Sequence, residues 1–138
     1  MTDLTFAFEP IGVLRSELTD LADAPRQGDE GGSAAWLELN PQVAPGLVGI
    51  QVGEPLVVLT WLHRADQSML QVHPRGNPDA PLTGVFATRS PHRPNPVGLH
   101  EVAVVEIDGA RLKVAPIEAI DGTPVIDIKP VLSAIENR

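Results

Sequence analysis

Fourteen prolines are scattered along 138 residues, with twelve glycines between them. Each proline fixes φ, lacks an amide hydrogen and clashes with the preceding helical turn, so a chain punctuated this way cannot sustain long helices. Short strands and shaped loops are what remain. The length suits one domain, spanning 1–138, large enough to bury a core without a metal or a disulfide. The chain has no cysteine, which removes disulfide scaffolds, cysteine-held zinc, iron–sulfur clusters and thiol nucleophiles and fits a reducing, cytoplasmic compartment. The opening residues MTDLTFAFEP lack the basic and apolar regions of a secretory signal. Nowhere do about 18 apolar residues run together. A soluble chain with no membrane partner is expected.

Periodicity predicts a strand over Pro10 to Leu18, followed by a polar loop through Asp20, Asp23, Pro25 and Gly31-Gly32. Ala34 to Leu39 is a second candidate strand, and Pro41 to Leu47 one helical turn with proline at its first position. Leu56 to His63, LVVLTWLH, is apolar, β-branched and aromatic, and reads as a strand buried on both faces. Ser68 to His73 and Gly84 to Thr88 are shorter strands. Val97 to Ile107 and Ala110 to Ile117 flank Asp108-Gly109, which predicts a hairpin with a type I′ turn. In its second arm Arg111 and Lys113 lie on a wet face opposite Leu112 and Val114. Val125 to Ile128 is a last strand, stopped by Pro130. About seven or eight short strands at close spacing predict a mainly all-β fold, a sandwich or a barrel.

The net charge is −8, which disfavours indiscriminate binding to nucleic acid or anionic lipid. The charge is unevenly spread. Between residues 61 and 100 four arginines (Arg64, Arg75, Arg89, Arg93) face only Asp66 and Asp79, and all four histidines (His63, His73, His92, His100) lie in the same stretch. Its centre is GVFATRSPHRPNPVGL, where Pro91, Pro94 and Pro96 stiffen a loop from which Arg89, His92, Arg93 and Asn95 project. A loop already ordered can present a guanidinium fork to a carboxylate or phosphate without being immobilised on binding. The bland alternative is a proline-rich connector or PxxP-type peptide. Asp121-Gly122-Thr123-Pro124 is either an ordinary turn or one whose amides and carboxylate hold a ribose hydroxyl or an ammonium group. His63 is a rim contact or a satisfied core histidine. Asp127 and Lys129 form an ion pair that is structural as readily as catalytic.

Other chemistries lack their signatures. The histidine spacings match no common zinc pattern, so no metal is expected. There is no GxSxG elbow to activate Ser90. Neither GxGxxG nor GxxxxGK[ST] occurs, so a nucleotide-like cofactor would need a non-Rossmann site.

GVFATRSPHRPNPVGL followed by DGTPVIDIKP resembles the TsaA-like family, also called TrmO or YaeB-like. The resemblance extends to Ile11–Ser16, to Pro25-Arg26-Gln27 and to Trp61-Leu62-His63. It implies a dimeric antiparallel β-barrel that binds S-adenosylmethionine and methylates the N6 nitrogen of threonylcarbamoyladenosine beside the anticodon of threonine tRNA. Carried over by position, the implied cofactor contacts are Arg26, Gln27, His63, Arg64, Arg89, Leu99, Asp121, Gly122 and Thr123. Arg93 and Asn95 serve cofactor or substrate. His63 and His92 are the candidate bases, since neighbouring arginines favour a neutral imidazole able to accept a proton. Gly53-Glu54-Pro55 replaces a Phe-Ser-His sequence common in relatives, Val131 stands where a tyrosine is usual, and no additional C-terminal domain follows. The other readings are therefore an S-adenosylmethionine-binding regulatory module and a methyltransferase with a different small acceptor.

Overall fold

The computed structural model describes residues 4–16 and 33–132. The polar loop expected across Asp20 to Gly32, with Arg26 and Gln27, lies outside the described residues. Eight strands are present among those described: β1 (Gly12–Arg15), β2 (Ser33–Leu39), β3 (Pro55–Trp61), β4 (Gln71–Val72), β5 (Thr83–Gly84), β6 (Val97–Asp108), β7 (Arg111–Ile117) and β8 (Pro124–Pro130). Six of them close into an antiparallel barrel in the order β1-β2-β7-β6-β3-β8, and β4 and β5 form a separate two-stranded arm. The mainly all-β expectation is met, with six strands rather than seven or eight in the barrel itself.

Alternation does the sorting, because successive side chains of a strand point to opposite faces. Leu14, Leu37, Leu56, Val58, Leu112, Val114 and Val125 are all at 1% exposure or less and fill the interior. On β7 the same alternation puts Arg111 and Lys113 outside, as expected. β3 departs from its expectation: Leu56, Val58 and Thr60 are buried, but Val57, Leu59 and Trp61 are only half-buried. In a closed barrel only one face of a strand meets the core, so an apolar run does not imply burial on both sides.

Other boundaries shift for local reasons. The first strand is confined to Gly12–Arg15, where both neighbours pair with it. GVFAT is not a strand: after Thr83–Gly84 the chain turns as a 3₁₀ helix over Val85–Ala87, closed by the Thr88 amide and hydroxyl, which both donate to the Val85 carbonyl. That turn limits the partner strand to Gln71–Val72. Pro41–Leu47 is likewise a 3₁₀ segment led by proline. In the β6–β7 hairpin Asp108 pairs with Arg111, so the turn is Gly109-Ala110, one residue later than expected. Gly109 has φ of 60° while Ala110 is not among the residues of positive φ, which excludes type I′.

The topology has one functional consequence. β1, β3 and β7 end, and β2, β6 and β8 begin, at the same rim.

Two glycine positions let the wall close. A Cβ on Gly12 would run into the Glu38 carbonyl and sit 2.7 Å from Leu39 Cα. On Gly98 it would meet the Thr60 hydroxyl and lie 2.8 Å from His100 Nε2. Thr60 Oγ1 and His100 Nε2 share a 2.8 Å hydrogen bond, and burial lowers the His100 pKa to about 4 from the usual 6.5.

Gly12→Ala should destabilise the fold by about 2–3 kcal/mol in urea titration, because the obstacle is backbone. Gly46→Ala, which meets nothing within 4 Å, should stay within about 0.5 kcal/mol of the parent. The His100 shift makes a second prediction, since the unfolded chain binds the His100 proton below pH 6.5 and the folded chain does not until about pH 4. Its contribution is intact above pH 6.5 and falls by roughly 3 kcal/mol as the pH drops to about 4. Denaturant titrations of His100→Gln should lack that part of the acid slope.

Candidate functional site

Two loops leave the shared rim and are tied together. After β3 the chain turns at 62–65, with the Leu62 amide donating to the Pro96 carbonyl (2.8 Å) and the Ala65 amide to the Leu62 carbonyl (2.9 Å). The Gln67 side-chain amide donates to the Pro94 carbonyl at 3.0 Å, and the Asp66 backbone amide to His92 Nδ1 at 2.9 Å. Asp66 accepts from the Ser68 hydroxyl and amide, and these bonds, ahead of the nearby His92, hold its carboxyl below the ordinary carboxylate value. The turn carrying His63 and Arg64 is thereby fixed against RSPHRPNP.

That loop is also knitted internally. The Ser90 amide donates to Thr88 Oγ1 and the His92 amide to Ser90 Oγ. Arg93 folds back instead of projecting: one terminal guanidinium nitrogen donates to both the Thr88 and Ser90 carbonyls at 3.0 Å. Arg89 differs. It is exposed and engages no partner among the described residues, so its fork is available to an anion. His63 is exposed and similarly unengaged, whereas the Nδ1 lone pair of His92 is occupied while the loops are joined. The Nε2 of His92 must then carry the ring proton, which leaves His63 as the histidine able to accept one. Asn95 is exposed at the loop end, where its carbonyl accepts from the Val97 amide.

Across the rim, Asp121-Gly122 forms a turn with Gly122 at φ 85°. The expectation that its amides hold a ligand is corrected. The Gly122 amide donates to the Leu14 carbonyl and the Thr123 amide to Ile120, while the buried Thr123 hydroxyl also donates to the Ile120 carbonyl at 2.6 Å. What the turn offers is the Asp121 carboxylate, held by the Ser16 amide at 3.1 Å and lying 3.7 Å from the Arg15 guanidinium. The connection to Ser16, 105 residues away, has no signal in the sequence beyond the family-like Ile11–Ser16 segment.

Leu99 lies on the outer face of β6, 45% exposed and paired with Leu59. Val97 is exposed beside it and pairs with Trp61, whose ring meets Phe8 at 5.6 Å between centroids. The candidate site is therefore the rim and the outer wall next to it, not the barrel interior. Asp127 and Lys129 form a 3.0 Å ion pair farther along β8. Arg26 and Gln27 lie outside the described residues. Among the described residues no three His, Asp or Glu side chains gather as metal ligands.

The different commitments of the two arginines are measurable. Arg93→Ala should lower stability by about 1.5–3 kcal/mol, the worth of hydrogen bonds from a charged donor, and raise amide exchange across 88–92. Arg89→Ala should change stability by less than about 0.5 kcal/mol.

Comparison with known proteins places this geometry. The family model described as tRNA-methyltransferase O N-terminal domain matches residues 13–137. A relative from Archaeoglobus fulgidus, named a probable S-adenosyl-L-methionine-binding protein, is 45% identical over 127 residues, 92% of this chain and 34% of its own length. A protein of the same name from Methanothermobacter thermautotrophicus is 39% identical over 137 residues, 99% of this chain and 98% of its own. The crystal structure of TrmO from Pseudomonas aeruginosa superposes with a TM-score of 0.73 at 31% identity, over 98% of this chain and 60% of that one. The chain thus spans about a third of the Archaeoglobus relative, under two thirds of the solved structure and nearly all of the Methanothermobacter protein. The chain belongs to the tRNA-methyltransferase O N-terminal domain family.

Proposed function

We propose that this protein binds S-adenosylmethionine at the barrel rim and transfers its methyl group to the N6 nitrogen of threonylcarbamoyladenosine in threonine tRNA. One observation carries the reading: both family-like motifs, with the His63-Arg64 turn, leave from a single rim where an unengaged guanidinium and a carboxylate are held in place. Relatives named as S-adenosyl-L-methionine-binding proteins support the choice of cofactor.

The donor set suits such a ligand. Arg89, with Arg64, provides for the methionine carboxylate, and Asp121 for an ammonium or a ribose hydroxyl. Leu99 and Val97 offer apolar surface, and Arg26 and Gln27 complete the set on the family pattern. Gly122 and Thr123 act by shaping the turn. When bound, the cofactor supplies an electrophilic methyl on a sulfonium, so that an N–CH₃ bond forms as the S–CH₃ bond breaks. The rim residues position the acceptor nitrogen in line at near-attack distance. His63 takes the N6 proton, a light task because the carbamoyl group already acidifies that N–H. Asn95 stands at the loop end for the acceptor, and Arg93 keeps the loop in shape.

The exposed Val97 and Leu99 favour a homodimer, in which a second copy covers the outer wall next to the site. No helix among the described residues is long and apolar enough to cross a membrane. Together with the lack of cysteine, this supports work in the cytoplasm on tRNA.

Millimolar S-adenosylmethionine should raise the melting temperature of the protein, and Asp121→Asn should weaken its binding about ten-fold or more. Purified protein should methylate threonine tRNA that carries threonylcarbamoyladenosine. Absence of any thermal shift overturns the cofactor reading, and unchanged adenosine modification in cells lacking the gene overturns this acceptor.

A further inference from the structure

Outside the rim, one row of side chains crosses three strands. Arg15 on β1 pairs in register with Trp36 on β2, and Trp36 with Lys113 on β7. Side chains opposite one another across antiparallel strands are close neighbours, so two cations flank an indole on the outer surface. The Arg111 guanidinium, from the next row, lies over the indole at 4.2 Å, and Lys113 Nζ stands 5.9 Å from the ring centroid. Beside this row is a cleft of about 410 Å³, lined by Arg15, Ser16, Trp36 and Lys113 with the backbone of residues 33–35.

The acidic side chains nearby are accounted for. Glu38 lies between Arg15 (3.1 Å) and Arg111 (3.6 Å), Asp108 is 3.6 Å from Arg111, and Asp121 is 3.7 Å from Arg15. Lys113 has no carboxylate partner among the described residues. In a protein of net charge −8, a cationic row built around an aromatic ring is a local reversal of sign. It is also contiguous with the rim, because Arg15 contacts Asp121 and Ser16 binds it.

We infer that this outer row is a docking surface for an unpaired stretch of RNA, with a base stacking on Trp36 and backbone phosphates meeting Lys113 and Arg15. The inference rests on the proposed action on tRNA and adds where the strand runs as its target base reaches the rim. Aromatic stacking accepts any base, and lysine or arginine contacts to phosphate carry no sequence information, so the surface contributes affinity and direction rather than recognition of the modified base. Arg111 on one side of the indole fixes the ring orientation in advance, which lowers the ordering cost of stacking.

The test uses the full chain and follows three quantities. These are the affinity for threonine tRNA and for a short unstructured oligoribonucleotide across a salt series, the thermal shift with S-adenosylmethionine, and KM for tRNA. Trp36→Ala should weaken RNA binding about ten- to a hundred-fold, with Trp36→Phe retaining most of the affinity. Lys113→Gln, at an outward position with no fold-bearing contact, should reduce the slope of log affinity against log salt by about 0.7. Both should raise KM for tRNA and leave the cofactor shift intact. Unchanged RNA affinity in Trp36→Ala and Lys113→Gln, with methyl transfer to tRNA still present, overturns this surface and leaves the proposed function standing. Loss of the cofactor shift in either variant assigns the cleft to the cofactor and also overturns it. A wild-type protein that binds cofactor but no RNA overturns both this surface and the proposed acceptor.

Discussion

Closure of the barrel by its shortest strand is the constraint on which the rest depends. β1 contributes only four residues, yet it pairs with β2 on one edge and β8 on the other. Gly12 makes the double pairing possible, because any side chain there would occupy the space of the Glu38 carbonyl. With β1 in place, no strand of the six-stranded sheet keeps an open edge and the apolar interior is sealed. The same closure carries Arg15 and Ser16 to the Asp121 turn. The site and the wall therefore share one cause.

Rigidity at the rim comes from polar bonds more than from burial. Between 62 and 97 only Val85, Pro96 and the glycine at 98 just beyond are buried, while side-chain and backbone hydrogen bonds join one loop to the other. Proline narrows the alternatives open to the unfolded loop, and Arg93 selects among those that remain. This division of labour separates two arginines four residues apart: one is part of the scaffold, and the other remains for a ligand.

Much of the architecture was legible from pattern. β2, β7 and the β6–β7 hairpin follow from alternation and a glycine turn, and the functional loop stood out by its prolines and arginines. The hairpin turn was misplaced by one residue because Asp-Gly suggests its own turn type, while the register that selects Gly109-Ala110 is set by Asp108 pairing with Arg111. GVFAT was misread because its β-branched and aromatic residues favour a strand that has no partner beyond Gly84. In the site, the use of the Gly122 and Thr123 amides by Leu14 and Ile120 depends on distant or folded-back carbonyls. No local pattern encodes that. Arg93 and Arg89 look alike in sequence for the same reason, and the Arg15–Trp36–Lys113 row joins three segments that only register brings together.

The contact of Gly98, Thr60 and His100 has a consequence for how such a barrel can diverge. The three positions share one volume: the absent Cβ at 98 is filled by a hydroxyl from β3 and an imidazole from β6. A larger residue at 98 requires a smaller one at 60 or 100, and loss of the imidazole leaves a gap that a side chain at 98 would fit. Substitution at this point of the wall is therefore a matter of trading occupants within a fixed space. The trio is expected to vary together across the family, as a single inherited unit beneath the outer surface at Val97 and Leu99.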